Sequence, residues 1–268
     1  MKTFISLFAL FLSLTLTAQT NPATWYLNDT SGGIQSPSNT ASGSLSTAMG
    51  NTTIASGFAS TTMGQLTTAS GNYSTAMGES TLASGSLSTA MGFNTTASDY
   101  ASLVIGQWNL AGSTTTNSPT EYSTDNTAFV IGNGTGSESR SDALVVKFNG
   151  DATLAGNLNI NSDARLKANI VSLGGTLTKL LQIDGKSYTM KKDDSEKQKI
   201  GLLAQDIEKV FPELVSESHG IKSVNYQGLV PVLINALKEQ QNEIEILKQQ
   251  QSEIDELKTM LKTLIEKT

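Results

Sequence analysis

Two periodicities divide this sequence. From residue 41 the chain repeats every fourteen residues, as "ASGSLSTAMGNTTI", "ASGFASTTMGQLTT", "ASGNYSTAMGESTL", "ASGSLSTAMGFNTT" and "ASDYASLVIGQWNL". Each unit carries two similar halves, Ala-Ser-Gly and Ala-Met-Gly, seven residues apart. Glycine at fixed phase, with Ser and Thr too abundant between for helix, predicts short strands stacked into a solenoid. Glycine is expected at the corners, because it accepts positive φ. Met49, Met63, Met77, Met91 and Ile105 recur at one phase and are expected to point inward as an apolar ladder. Coils stack about 4.8 Å apart, so five coils predict a stub roughly 24 Å tall. So strict a phase argues against a disordered Ser/Thr/Gly linker.

Residues 108–160 keep a strand-like pattern. "NTAFVIGNGTG" and "DALVVKFNGDATLAGNLNIN" alternate apolar and polar residues between Asn-Gly and Gly turns, and predict a β-rich neck. "NGTG" is no nucleotide loop, because no Gly-Lys-Ser/Thr follows it. Beyond residue 161 the pattern turns helical. "IGLLAQDIEKVFPELV" places Leu203, Ile207, Val210 and Phe211 on one face, and Pro212 is expected to stop that helix. From Tyr226 a heptad pattern puts Tyr226, Val230, Leu233, Leu237, Gln240, Ile244, Leu247, Gln251, Ile254, Lys258, Leu261 and Ile265 on one seam, predicting a coiled coil. Gln240, Gln251 and Lys258 interrupt that seam, either to set register or as fraying toward the end.

Charge follows the same division. Positions 1–150 hold 10 charged residues and the remaining 118 hold 32. The net charge of -6 argues against nucleic acid as a partner, since no basic patch is visible to neutralise phosphates. Lys2, the apolar run "FISLFALFLSLTL" and the small-residue exit "TAQT" predict an export signal ending near Ala18. That run is short for a membrane span, and no later stretch resembles one. Without cysteine there is neither a disulfide framework nor a lipid-anchoring thiol. No cofactor motif or metal-ligand cluster is visible. A secreted or cell-surface protein is the expectation.

The repeats of residues 39–107, with their Ala-Ser-Gly, Ala-Met-Gly and Val-Ile-Gly halves, resemble the head repeats of trimeric autotransporter adhesins. That resemblance implies a left-handed parallel β-roll with three chains side by side. Those adhesins end in a membrane β-barrel anchor, which has no counterpart in this pattern. The C-terminal third carries a second resemblance. "SDARLKANI", "YTMK", "IGLLAQDIEKVFPELV" and "VNYQGLVPVLINALKEQ", in that order over residues 161–247, are similar to the intramolecular chaperone auto-processing domain of endosialidase tailspikes. The resemblance implies a domain that trimerises, helps the preceding β-structure fold, and then cuts the bond before its first serine. The catalytic pair it implies is Ser162 with Lys167, and the bond is Asn161–Ser162.

The chemistry has its own requirements. A serine hydroxyl needs a base, and a lysine serves once burial lowers its pKa from about 10.4 by several units. His219 is the one histidine, so a Ser-His-Asp triad would have to use it. Positions i and i+5 face different ways on a helix and on a strand. Ser162 therefore has to sit on a turn, or Lys167 has to come from a neighbouring protomer. The bland alternative is that Ser162 or Asp163 caps a helix starting near Ala164, with Lys167 solvated. Asp163 and Arg165 fit structural or orienting roles.

The organisation expected is a signal at 1–18, a linker at 19–38, β-roll repeats at 39–107, a neck at 108–160, an α+β chaperone domain at 161–228 and a trimeric coiled coil at 229–268. The leading function is an exported homotrimeric, adhesin-like surface fibre whose C-terminal serine endopeptidase releases itself. A thin roll of near-identical coils has a register problem, because slipping by one repeat presents almost the same side chains. A downstream trimer would supply the register, and its removal would leave kinetic stability behind. The alternatives are a non-enzymatic adhesin with a permanent stalk and a phage-type tail fibre, against which the export signal counts. The head's ligand, a host or matrix molecule, is not readable, and its Ser/Thr ladders leave ice or carbohydrate open.

Overall fold

In a computed structural model, residues 26–27, 31–110, 118–191 and 197–267 are described; the export signal and much of the 19–38 linker lie outside them. The chain forms two compact units, one ending at Ile160 and the other starting at Asn161.

The first unit is a β-solenoid of fourteen-residue coils. Each coil contributes a five-residue strand, such as Thr47–Asn51 or Thr75–Glu79, to one parallel sheet. A two-residue strand, such as Ile54–Ala55 or Leu82–Ala83, joins a second sheet of five strands. Register is that of the repeat: Met49 pairs with Met63, Met63 with Met77, and Met77 with Met91.

The methionines do not point inward as expected. Met63 and Met91 are 38% and 37% exposed, while the residue before each rung (Ala48, Thr62, Ala76, Ala90 and Val104) is 0% exposed. A coil this thin leaves room inside only for Ala, Ser, Thr and Val, and strand alternation then forces the larger neighbour outward. Opposite them, Ala41, Ala55, Ala69, Ala83 and Ala97 fill the second wall.

The corners also differ from expectation. Positive φ falls on non-glycine residues every seven positions, among them Leu45, Ala59, Tyr73, Leu87 and Ala101 at φ 49–61°. The glycines serve stacking. A Cβ on Gly57 would lie 2.0 Å from the Gly71 carbonyl oxygen of the next coil, and one on Gly64, at φ +118, would lie 2.0 Å from that of Gly78. Each coil therefore rests on the bare backbone of its neighbour.

The solenoid's ends are closed by side-chain amides. Buried threonines 53, 67, 81 and 95 form an internal column, and asparagine occupies the next position at either end. Asn109 Oδ1 accepts from Thr96 N at 2.8 Å and its Nδ2 donates to the Thr96 carbonyl at 3.0 Å, taking the place of a further strand. Asn39 Oδ1 accepts from Thr53 N at 2.9 Å, and Gln35 Oε1 accepts from Ala41 N at 2.8 Å. Asp99, where other repeats have glycine, accepts from Thr127 N at 2.7 Å and so joins the last coil to the neck. The neck strand Thr127–Asn133 extends the large sheet in parallel with Leu103–Gln107, and Asp142–Lys147 and Ala152–Leu154 follow antiparallel. Edges that would otherwise invite another strand are thereby paired.

The second unit is α+β. Helix α1 (Thr176–Leu180), helix α2 (Ala204–Val210), two antiparallel hairpins and the long helix α3 (Leu229–Ile265) surround a small core of Ile207, Phe211 and Val232. Leu203 precedes α2 and is 44% exposed, so it is not part of that helix's buried face. Pro212 ends α2 by opening a 3-10 turn, Pro212–Leu214. The 37 residues of α3 span about 55 Å. Tyr226 lies in a 3-10 turn before α3, its hydroxyl accepting from Leu202 N at 3.0 Å, so the seam starts at Val230. Leu229, Val232 and Ala236 are buried against the unit's own core, whereas Val230, Leu233, Leu237, Leu247 and Leu261 are exposed. Among the described residues no helix is long and apolar enough to cross a membrane.

Candidate functional site

Residues 161–175 form a strap in which every residue is exposed. Its one local structure is a 3-10 turn, Ala164–Leu166. Asp163 caps that turn: its Oδ1 accepts from Arg165 N at 2.9 Å. Its carboxylate also holds the Arg165 side chain, with Nη2 2.7 Å from Oδ2. The Arg165 guanidinium, and secondarily the Arg165 N–H, lower the Asp163 carboxyl below the ordinary aspartate value. Both orient the turn, as the sequence suggests, and the pair is too exposed to add much stability.

The turn decides where Lys167 goes. Lys167 N donates to the Ala164 carbonyl at 3.1 Å, and the chain leaves the turn extended at φ -121°, ψ 146°. The side chain folds back over the turn, and Nζ donates to Ser162 Oγ at 2.7 Å. Two residues that neither a helix nor a strand would bring together thus meet within one chain. Capping and pairing coexist: Asp163 caps while Ser162 meets the lysine. A cleft of about 420 Å³ beside them is lined by Asn161, Ser162, Asp163, Arg165 and Leu166.

His219 takes no part in this pair. It occupies the turn of the Val215–Ser218/Ile221–Val224 hairpin at φ 51°, with Nδ1 2.9 Å from Ser218 Oγ. Among the described residues no group of His, Asp or Glu could hold a metal ion.

The far end of the strap is held by α3, which the sequence reading missed. Asn235 Nδ2 donates to the Leu173 carbonyl at 3.1 Å. Glu239 Oε1 accepts from Thr176 N and Oγ1, both at 3.0 Å, and Oε2 accepts from Leu177 N at 2.9 Å. The Leu177 N–H foremost, then that of Thr176, lowers the Glu239 carboxyl below the ordinary glutamate value, against partial burial. Spacing by four on a helix was the available signal, but both residues also read as ordinary solvent-facing positions.

The first unit is thus a solenoid of glycine-stacked coils, and the second a small α+β unit with a serine–lysine contact and a long helix. The comparisons agree part by part. Residues 162–216 match a peptidase family described as the chaperone of endosialidase. Residues 55–80 and 83–107 match two copies of the YadA head domain repeat. The chain is 30% identical over 108 residues to the long tail fiber protein Gp37 of Salmonella phage S16, covering 37% of this chain and 14% of that one. It thus spans about a seventh of that fibre's length.

Proposed function

We propose that this is an exported fibre protein that assembles as a homotrimer, and that its C-terminal unit aligns three chains and then cuts itself off at Asn161–Ser162. The observation that carries the reading is the 2.7 Å contact between Lys167 Nζ and Ser162 Oγ at the start of the chaperone-type segment. In the step itself, Ser162 Oγ bonds to the Asn161 carbonyl carbon as its proton passes to a neutral Lys167. The Asn161–Ser162 C–N bond then breaks, and the departing amine takes that proton back. Water hydrolyses the resulting ester, leaving an Asn161 carboxylate and a C-terminal fragment that begins Ser-Asp-Ala-Arg.

Trimerisation is supported by two unpartnered apolar surfaces. One is the outward Thr and Met ladder of the large sheet; the other is the exposed seam of α3. Assembly also supplies what the dyad lacks in one chain. A lysine acts as a base after losing its proton, which desolvation promotes. The strap is exposed and carries Leu166, Ile170 and Val171 exposed beside the dyad, so neighbouring chains are what would cover it. Cutting then follows assembly rather than preceding it.

Ser162→Ala abolishes cutting and leaves the trimer assembled, because the hydroxyl serves chemistry rather than packing. Lys167→Ala and Lys167→Arg fail as well, since a guanidinium does not give up its proton. His219→Ala still cuts. Denaturing gels with N-terminal sequencing of the fragment read all four. A wild-type trimer that stays intact leaves a permanent, non-enzymatic stalk as the function, and cutting that survives Ser162→Ala assigns it to an outside protease.

A further inference from the structure

Beyond Ser162 and Lys167, what fixes the strap in space is its attachment to α3. From Lys167 to Leu173 the chain has neither helix nor strand, so six residues tether the dyad within about 20 Å of the point where Asn235 meets the Leu173 carbonyl. Immediately beyond, one carboxylate gathers three donors: Thr176 N, Thr176 Oγ1 and Leu177 N. Thr176 is 1% exposed, and its hydroxyl donates to Glu239 Oε1. Asn235 and Glu239 are four residues apart, hence on one face of α3. Val232 and Ala236, both 3% exposed, flank that face, while Leu233 and Leu237 of the seam stay exposed. The strap is therefore fastened to a side of the helix that leaves the seam open for other chains.

Resting on the reading that this chain cuts itself as a trimer, we infer that Glu239 and Asn235 are positioning residues that deliver the Ser162–Lys167 strap of their own chain to its place in the assembled trimer. Glu239 touches neither reacting atom. Its loss leaves the dyad contact itself intact and frees the strap from the helix, so that the pair wanders relative to the chains that must cover it. Glu239→Gln keeps the shape but replaces one acceptor oxygen with an NH2 group that faces N–H donors, so the gathering of three donors fails. Small misplacements of a reacting group cost on the order of 100-fold in rate.

The test follows the full chain, labelled in a short pulse of synthesis and chased, with the cut fraction read on denaturing gels. Glu239→Gln slows cutting about 10- to 100-fold, and Asn235→Ala slows it less. In the uncut Ser162→Ala background, adding Glu239→Gln leaves trimer mass unchanged. Tagged wild-type and untagged Glu239→Gln chains are then co-expressed and mixed trimers captured by the tag. Wild-type chains cut at their own rate and Glu239→Gln chains lag beside them, because each clamp acts on its own strap. Equal cutting of both chains, a variant as fast as wild type, or a loss of rate that merely tracks a loss of trimer would overturn the assignment. A wild type that never cuts overturns the self-cleavage reading instead, and the two failures are distinguishable on one gel.

Discussion

The head and the C-terminal unit solve opposite problems. The head is filled on its inside: alanines at 0% exposure line both walls, and amides cap the ends. Yet little distinguishes one of its coils from the next, and pairing Met49 with Met77 instead of Met63 would cost little. The C-terminal unit is the reverse. It has a small core, a fully exposed strap and an apolar seam facing solvent, but it contains no near-identical segments. Even glycine differs in use. Gly57, Gly64, Gly71 and Gly78 stand against the next coil, whereas a Cβ on Gly174, Gly175, Gly185 or Gly220 meets nothing within 4 Å. A structure built from interchangeable parts stacks tightly and holds little information about its own register outside its end caps at Asn39 and Asn109. On the proposed function, the C-terminal unit supplies the rest.

The comparison breaks most completely if the two are separated. Expressed alone, residues 21–161 should give aggregated or misregistered head, because non-local parallel pairing of near-identical coils is slow and exposes edges. The full chain should give a soluble, protease-resistant trimer. Limited proteolysis and sedimentation of both products measure the difference, and equal yields of resistant trimer would remove the chaperone role.

A smaller break confines itself to the stacking. Gly64→Ala drives a Cβ into the Gly78 carbonyl and forces alanine to φ +118. Overpacking of about 1–3 kcal/mol adds to backbone strain of about 1–3 kcal/mol, so the head's melting transition in the full-length protein falls by several degrees or more. Gly136→Ala, where nothing lies within 4 Å, is the control and leaves it unchanged.

Those positions also show what was legible in the sequence. The fourteen-residue period, the strands of the head and the long helix follow from periodicity; the α+β character of the C-terminal unit came from the resemblance, because the pattern beyond residue 161 reads as helical and its two hairpins carry no clear alternation. Which side of each strand faces in did not follow. The pair Ala48–Met49 reads as apolar twice over, and hydrophobicity alone favours burying the larger member; the narrowness of the coil decides for alanine. The left-handed corners were hidden because Leu45, Tyr73 and Leu87 stand where Gly or Asn would announce them. At the site, the resemblance to the endosialidase chaperone domain named Ser162 and Lys167, whereas the residues alone read equally as a helix cap beside a solvated lysine. Their meeting in one chain depends on a three-residue turn that Asp163 caps, a detail below the resolution of any period. Glu239 was invisible for another reason: a glutamate on an exposed helix is ordinary until the N–H groups of Thr176 and Leu177 are brought to it over 60 residues of chain.

The smallest expected effect sharpens the comparison at the head's surface. Leu45 is 65% exposed and sits at φ 59°, a conformation that costs a leucine about 1–2 kcal/mol more than it costs Gly or Asn. Little of its side chain is buried within its own chain, so Leu45→Asn should remove more strain than packing. The net gain is a few tenths up to about 1 kcal/mol, or roughly 1–4 °C in the head's melting transition in the full-length protein. The same column carries Tyr73 at 55% exposure, in edge-to-face contact with Phe58, and Leu87 at 46%, so its bulky residues recur on one edge of the solenoid. A lower melting temperature for Leu45→Asn would mean that this edge is covered in the fibre, and that the strain at its corners is offset by contacts between chains. A higher one leaves the edge facing water and assigns the joining of chains to the Thr and Met ladder of the large sheet.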